Sequence, residues 1–276
     1  MIDLEGVLAT IDTWAADHVA AVVLGPSGAL AARGEPDHRF RWASLTKLVT
    51  SWTVLIAVDR GLVDLDEPEG PPGATVRHLL AHASGLPFEG DMLLAKPGTR
   101  RIYSNPGYDA LGRLIGERTG GSFESALTDW VLAPLGMDET WLLDRPSQGL
   151  HGTIADLGAF AAELSRPTLV SSAAARLATS VAFPGLVGAV PGVGRFDPCD
   201  WGLGPELHDG KTPHWMAERN SPASFGHIGG AGTFLWVDPV ADLATVVLTD
   251  RAFGPWALEA WPAFSDAVLA STAEPP

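Results

Sequence analysis

The sequence predicts an α+β fold in which one sheet is assembled from both ends of the chain and a mostly helical stretch is inserted between them. Three observations predict it. Short β-branched or apolar runs lie near the start, at residues 18–24 and 29–33, and again near the end, at 233–237 and 244–248. Between about 70 and 200, apolar residues instead recur at helical spacing between Gly and Pro breaks. Amphipathic helical patterns stand at both termini.

Taken in order, Leu4, Val7, Leu8, Ile11 and Trp14 mark an N-terminal helix with one apolar stripe. The turn cluster Gly25-Pro26-Ser27-Gly28 joins the first two strands as a hairpin. Leu45, Leu48, Val49, Trp52, Leu55 and Ile56 then fall at i, i+3, i+4, i+7, i+10 and i+11, the strongest helical pattern in the chain, ending near Gly61. Helices are expected over 76–81, 109–118, 123–131, 154–165 and 171–179. Asp238-Pro239-Val240-Ala241-Asp242 turns the late strands into an antiparallel hairpin, and a closing helix over 255–270 carries Trp256, Leu258, Trp261, Phe264 and Val268. The expected division is a discontinuous sheet subdomain, 1–70 with 200–276, around a helical subdomain, 71–199.

Composition excludes several classes. With 46% hydrophobic and 18% charged residues, the 276-residue chain is folded rather than disordered. Its formal charge of −15 repels phosphate backbones and anionic lipid, so neither nucleic acid nor a membrane is an expected partner. The single cysteine, Cys199, has no internal disulfide partner, and no Cys/His spacing suits zinc. The opening Met1-Ile2-Asp3-Leu4-Glu5 has no basic and then apolar leader pattern, so a cytoplasmic location is expected. The Ala/Pro-rich tail is expected to be loose.

Chemistry enters at Ser44-Leu45-Thr46-Lys47, at the mouth of the strong helix. Positions three apart share a helix face, so an amine stands beside a hydroxyl that needs a base to become nucleophilic. Lys47 can serve only if its pKa falls toward roughly 7–8, and burial and the positive helix end both push it that way. The helix end also offers N–H groups to an oxyanion. Sixteen Ser and three Lys give roughly 0.17 such matches by chance, so this motif alone is weak. Tyr103-Ser104-Asn105 is more specific: two Tyr and two Asn give roughly 0.015 chance matches. A phenol there can pass a proton, and the carboxamide can hold Lys47 or a substrate amide. His227-Ile228-Gly229-Gly230 says little by composition, but its glycines beside a strand admit close substrate approach.

Ser-x-x-Lys, Tyr-x-Asn and His-x-Gly in this order resemble the serine beta-lactamase and penicillin-binding-protein superfamily, especially the branch of class C beta-lactamases, D,D-carboxypeptidases and related esterases. Trp42 to Lys47, the segment from His78 through His82 to Pro87, the run from Pro97 to Met137, and Phe225 through Trp236 to Pro239 extend the likeness over most of the chain. The resemblance implies a beta-lactamase/transpeptidase-like fold, a five-stranded-type antiparallel sheet flanked by terminal helices, with the site at its junction with the helical subdomain. It implies Ser44 as acylated nucleophile, Lys47 as its activator and Tyr103 as general base or acid. It further implies that Asn105 positions substrate, His227 plays an electrostatic part, Gly229 and Gly230 line the substrate side, and the Ser44 and Gly230 N–H groups form an oxyanion hole. No cofactor is called for.

Two departures steer the substrate expectation. Ile228 stands where the family usually carries Thr or Ser, which removes a donor to a substrate carboxylate. The chain is also shorter than most of the branch. Both favour a small-molecule ester or amide over beta-lactams or D-Ala peptides. Competing readings are a metal held by His78 and His82, and a catalytically silent binding module, for which loss of Ser44, Lys47 or Tyr103 would be the mark; all three are present. No Gly-x-Ser-x-Gly elbow occurs. Trp14, Trp52, Trp130 and Trp261 read as core; Trp42, Trp201 and Trp215 are candidates for a cleft, and Asp197 and Asp200 read as a solvated loop.

Overall fold

The late strands are apolar at successive positions rather than alternately, and such strands need cover on both faces. The computed structural model, which describes residues 3–273, supplies it. In chain order the elements are α1 (Leu4–Leu8, continued by a 3₁₀ turn Ala9–Thr13), β1 (Val19–Gly25), β2 (Gly28–Gly34), β3 (Phe40–Arg41), α2 (Thr46–Asp59), α3 (Val76–Leu80), α4 (Asn105–Thr119), α5 (Phe123–Leu127), β4 (Trp141–Leu142), β5 (Leu150–Gly152), α6 (Ile154–Ser165), α7 (Ser172–Ala178), β6 (Gly188–Val190), β7 (Gly194–Phe196), β8 (Glu206–Leu207), β9 (Phe225–Gly229), β10 (Thr233–Asp238), β11 (Leu243–Thr249) and α8 (Pro255–Thr272).

The main sheet runs β2-β1-β11-β10-β9-β8, with every pair antiparallel. Both chain ends therefore meet in one sheet, as expected, with a sixth short strand, β8, beyond the five implied. Register sorts side chains by face. Leu235 opposes Val246, which opposes Val22, and all three join the cluster containing α2 and α6. Phe234 opposes Val247, which opposes Ala21, and these face Val7, Leu8, Ile11, Trp261, Phe264 and Val268 of the terminal helices. Full burial of each large aliphatic side chain is worth ~1.5–3 kcal/mol, so a one-residue slip of β10 or β11 carries a heavy cost.

The division at 71–199 is not how the packing runs. α6, inside that segment, lies against β1, β10 and β11, while α2, outside it, packs against α4 and α5. The N-terminal helix is broken: only Leu4–Leu8 is α-helical before the 3₁₀ turn. The helix expected over 123–131 passes into a π turn at Thr128–Leu132. Residues 1–2 of the opening segment and 274–276 of the tail lie outside the described residues. No helix among the described residues is long and apolar enough to cross a membrane.

α2 is the axis of the molecule. Every residue from Thr46 to Ala57 is buried, and the helix stops where Gly61 takes a positive φ of 70°. α4 begins at Ser104, whose hydroxyl accepts from the Gly107 N–H, with Pro106 in the first turn. Those two helix starts carry the two most informative sequence motifs.

Candidate active site

Ser44 sits in a 3₁₀ turn, Ala43–Leu45, that feeds directly into α2. Trp42 anchors the turn. Its N–H donates to the Leu150 carbonyl (2.9 Å), its indole Nε1 donates to the Gly152 carbonyl (3.1 Å), and its own carbonyl accepts from Thr233 Oγ1 (3.0 Å). Ala43 has φ = 49°, in the left-handed region that costs a residue with a Cβ roughly 1–2 kcal/mol, so the turn before Ser44 is held under backbone strain.

Lys47, one turn on, is fully buried. Its Nζ donates to Ser44 Oγ (3.2 Å), Asn105 Oδ1 (2.6 Å) and the Ser147 carbonyl (2.8 Å), and lies 4.7 Å from the Tyr103 ring centroid. Burial lowers its pKa from 10.5 to about 7, against the pull of Asp109 and Glu89. That shift corresponds to roughly 5 kcal/mol of penalty on the charged form. A neutral amine thus coexists with the ammonium near neutrality.

Tyr103 is buried, and its pKa rises well above that of a free phenol because burial disfavours phenolate, with a hydrogen bond from Ser44 working the other way. At neutral pH it carries its proton. His227 reaches it from β9, with Nε2 3.3 Å from Tyr103 Oη. His227 Nδ1 lies 2.6 Å from the Ile228 carbonyl, which can only accept, so Nδ1 bears the hydrogen and Nε2 accepts from the phenol. Burial, then Lys47, lowers the His227 pKa to about 4. The electrostatic part implied for His227 is corrected accordingly: it is a neutral acceptor that orients the phenol, because a second cation beside Lys47 is unfavourable in so dry a site.

Two further assignments change. Asn105 faces Lys47 rather than the cavity: Oδ1 accepts from Lys47 while Nδ2 donates to Glu89 Oε1 (2.7 Å). It positions the amine, and does not line the space beside Ser44. Gly229 does not line that space either. A Cβ there would overlap Thr233 Oγ1 and the Trp42 carbonyl, so the glycine lets β9 press against the Ser44 turn. Gly229→Ala is therefore expected to lower stability by about 1–3 kcal/mol and displace Ser44; a chemical denaturation midpoint measures the first and ester turnover the second. Gly230 does line the cavity, and open space surrounds its Cβ direction.

The cavity beside Ser44 is about 240 Å³. Ser44, Tyr103, His227 and Gly230 meet there with Phe88, Val190, Pro191, Trp201, Ile228 and Phe253, and one buried carboxylate, Glu206. Burial pushes Glu206 up, but His214 and Lys211 charges and hydrogen bonds from His214 (2.9 Å) and Trp215 (2.7 Å) hold it down to about 2. It is a compensated anion behind an otherwise apolar wall. Of the three tryptophans left open by sequence, Trp201 lines the cavity, whereas Trp42 and Trp215 are core. Asp200 is buried rather than solvated, and burial together with Asp209 raises its pKa.

His78 and His82 are not arranged to share a metal. His78 Nδ1 caps α3 through Thr75, and His82 Nδ1 accepts the Ser104 N–H (3.1 Å) while its ring packs against Tyr103 at 4.3 Å. Among the described residues, metal-ligating types instead converge at His18, Glu35 and His38, near the surface, where His18 pairs with Glu35 and stacks on His38. The residues that sequence reading missed, Glu89, Ser147, Phe88, Val190 and Glu206, come from separate loops and strands with no local motif to announce them.

Comparison with known proteins agrees with this geometry. The Beta-lactamase family model matches residues 20–269. The crystal structure of a beta-lactamase (Mb2281c) from Mycobacterium bovis superposes with a TM-score of 0.95 at 49% identity, covering 96% of this chain and 99% of that one. Simvastatin synthase (LovD) from Aspergillus terreus shares the fold at a TM-score of 0.78 and 19% identity, over 97% of this chain and 94% of that chain. The D-alanyl-D-alanine-carboxypeptidase/endopeptidase AmpH of Escherichia coli is 29% identical over 164 residues, 46% of this chain. That match spans 43% of AmpH, less than half of the curated relative's length.

Proposed function

Because the chain belongs to the Beta-lactamase family, we propose that it is a serine hydrolase that cleaves a small-molecule ester or amide through an acyl-enzyme on Ser44. One observation carries the reading: a hydroxyl and a protonated phenol line one cavity, and a buried amine whose pKa is lowered to about 7 holds the hydroxyl from behind. Neutral Lys47 takes the Ser44 proton as Oγ attacks the carbonyl. The Ser44 and Gly230 N–H groups receive the developing oxyanion. As the carbonyl-to-leaving-group bond breaks, Tyr103 gives its proton to the leaving atom and is replenished from the Lys47 ammonium. Water then enters, neutral Lys47 accepts its proton as the water oxygen attacks the acyl carbonyl, and the Lys47 ammonium returns that proton to Ser44 Oγ as the acid departs.

The apolar cavity wall and Ile228 favour an uncharged acyl group, and therefore an ester or simple amide. A beta-lactamase or D,D-carboxypeptidase activity is the second reading, favoured by the 49% identity to the Mycobacterium bovis beta-lactamase. A panel of short and long p-nitrophenyl esters, nitrocefin and a D-amino-acid amide separates the two. Ester turnover exceeding nitrocefin turnover in kcat/KM supports the first reading, and the reverse order overturns it.

The pH profile follows from Lys47. Its amine is the active form, so kcat/KM is expected to rise with pH and level off above an apparent pKa near 7. Glu89 stabilises the ammonium, so Glu89→Gln is expected to move this limb to lower pH. A pH–rate profile of the two proteins checks the direction.

A further inference from the structure

A second cavity, of about 330 Å³, adjoins the one at Ser44 and shares Phe88, Tyr103 and Pro191 with it. Its polar character differs. Arg100, Arg101 and Arg195 line it, and no carboxylate does. In a chain of formal charge −15, a hollow lined by arginines and by no carboxylate carries a local field opposite to the molecule's own.

Six other arginines, Arg33, Arg39, Arg77, Arg118, Arg145 and Arg166, pair with carboxylates. Arg101 is buried and spends its guanidinium on backbone carbonyls of Ala81, Ala182, Phe183 and Cys199, with Asp200 near enough to favour its charge, so it shapes the floor of the hollow rather than reaching into it. Arg100 and Arg195 are exposed, and the described residues offer neither an ion pair nor a side-chain hydrogen bond. Their backbones are fixed relative to each other: Arg101 bridges to Gly188 on β6, and Arg195 on β7 pairs with Ala189 of the same hairpin. Two guanidinium groups on coupled segments thus face one hollow.

We propose that this cavity binds an oxyanion, a carboxylate or a phosphate, carried by the leaving-group portion of the substrate. The proposal rests on the hydrolase reading of Ser44 and specifies its substrate. Tyr103 decides which portion. The leaving atom takes its proton at Tyr103, so the group beyond it continues into the hollow that Tyr103 lines and Ser44 does not, while the apolar cavity keeps the acyl group. Arginine suits this task because its fork of donors meets two oxygens of either anion.

The test compares acetate esters of one shape: 4-acetoxybenzoate, its neutral methyl ester, and 4-acetoxyphenyl phosphate, each with wild type and with the Arg100→Gln/Arg195→Gln double variant. The variant is expected to lose roughly 10- to 100-fold more kcat/KM on an anionic ester than on the methyl ester, chiefly through KM, as charged hydrogen bonds predict. The Arg100→Gln/Arg195→Lys variant is expected to recover part of that loss, because it keeps a cation at position 195. Whichever anion shows the larger loss names the source, carboxylate or phosphate. Equal loss on charged and neutral esters overturns the proposal. p-Nitrophenyl acetate is run alongside: turnover without charge discrimination sinks this inference alone, whereas no Ser44-dependent turnover sinks the hydrolase reading. In that second case calorimetry still decides the anion site. Binding of 4-hydroxybenzoate or 4-hydroxyphenyl phosphate that weakens in the double variant supports it, and binding that is absent or unchanged overturns it.

Discussion

Ser44→Ala is expected to abolish ester turnover, with a loss on the order of 10⁴-fold or more in kcat, because the other polar groups at the cavity are engaged elsewhere: Tyr103 and His227 with each other, and Glu206 with His214 and Trp215. The burst of released nitrophenol disappears with the steady state. The fold is expected to survive: the turn is held by Trp42 and Thr233 rather than by the Ser44 side chain, so the circular dichroism spectrum and thermal midpoint stay with those of wild type. Stopped-flow and steady-state kinetics on p-nitrophenyl acetate read the first effect, and thermal unfolding reads the second. A variant that keeps turnover removes Ser44 from the mechanism.

Lys47→Met is expected to lower kcat/KM on the order of 10²–10⁴-fold and to erase the acid limb of the pH profile, because the base that titrates near 7 has gone. Its effect on stability has a definite sign. Between about 7 and its ordinary 10.5, the unfolded lysine holds a proton that the folded one has released. The unfolded state therefore binds more protons, and wild-type stability gains a rising component with pH in that window. Methionine has no proton to lose, so the variant lacks that component, and it also removes a buried group that is costly when charged. Denaturant midpoints of both proteins measured from pH 7 to 9 check this. A parallel pH dependence in the two proteins contradicts a depressed Lys47.

What could be read from the chain depended on how local each signal was. The α2 pattern from Leu45 to Ile56 was legible because helix period and burial coincide, and it placed Ser44 and Lys47 on one face without further help. Tyr103 was legible because tyrosine is scarce here. The pairing of both chain ends in one sheet followed from the strand runs at either end, and the family resemblance supplied the antiparallel order, short of β8. Asn105 was found with two partners open, Lys47 by its chemistry and substrate by the family resemblance: its neighbours Lys47 and Glu89 lie 58 and 16 residues away, and only three-dimensional packing decides which way a carboxamide turns. His227 was found with an electrostatic part but no protonation state, because that depends on a backbone carbonyl and on burial that no linear motif encodes. Gly229 was read as an approach for substrate, yet the backbone it admits is the protein's own, at Trp42. The N-terminal helix broke because five apolar positions specify a stripe but not whether the turns that present it are α or 3₁₀.

The most direct test of the central claim is to quench wild-type enzyme during turnover of p-nitrophenyl acetate and map the acyl group by intact-protein and peptide mass spectrometry. The account predicts one acetyl group per chain on the peptide carrying Ser44, transient in wild type and absent from Ser44→Ala. Acetylation at another residue, or turnover with no acylated protein at any time, contradicts it.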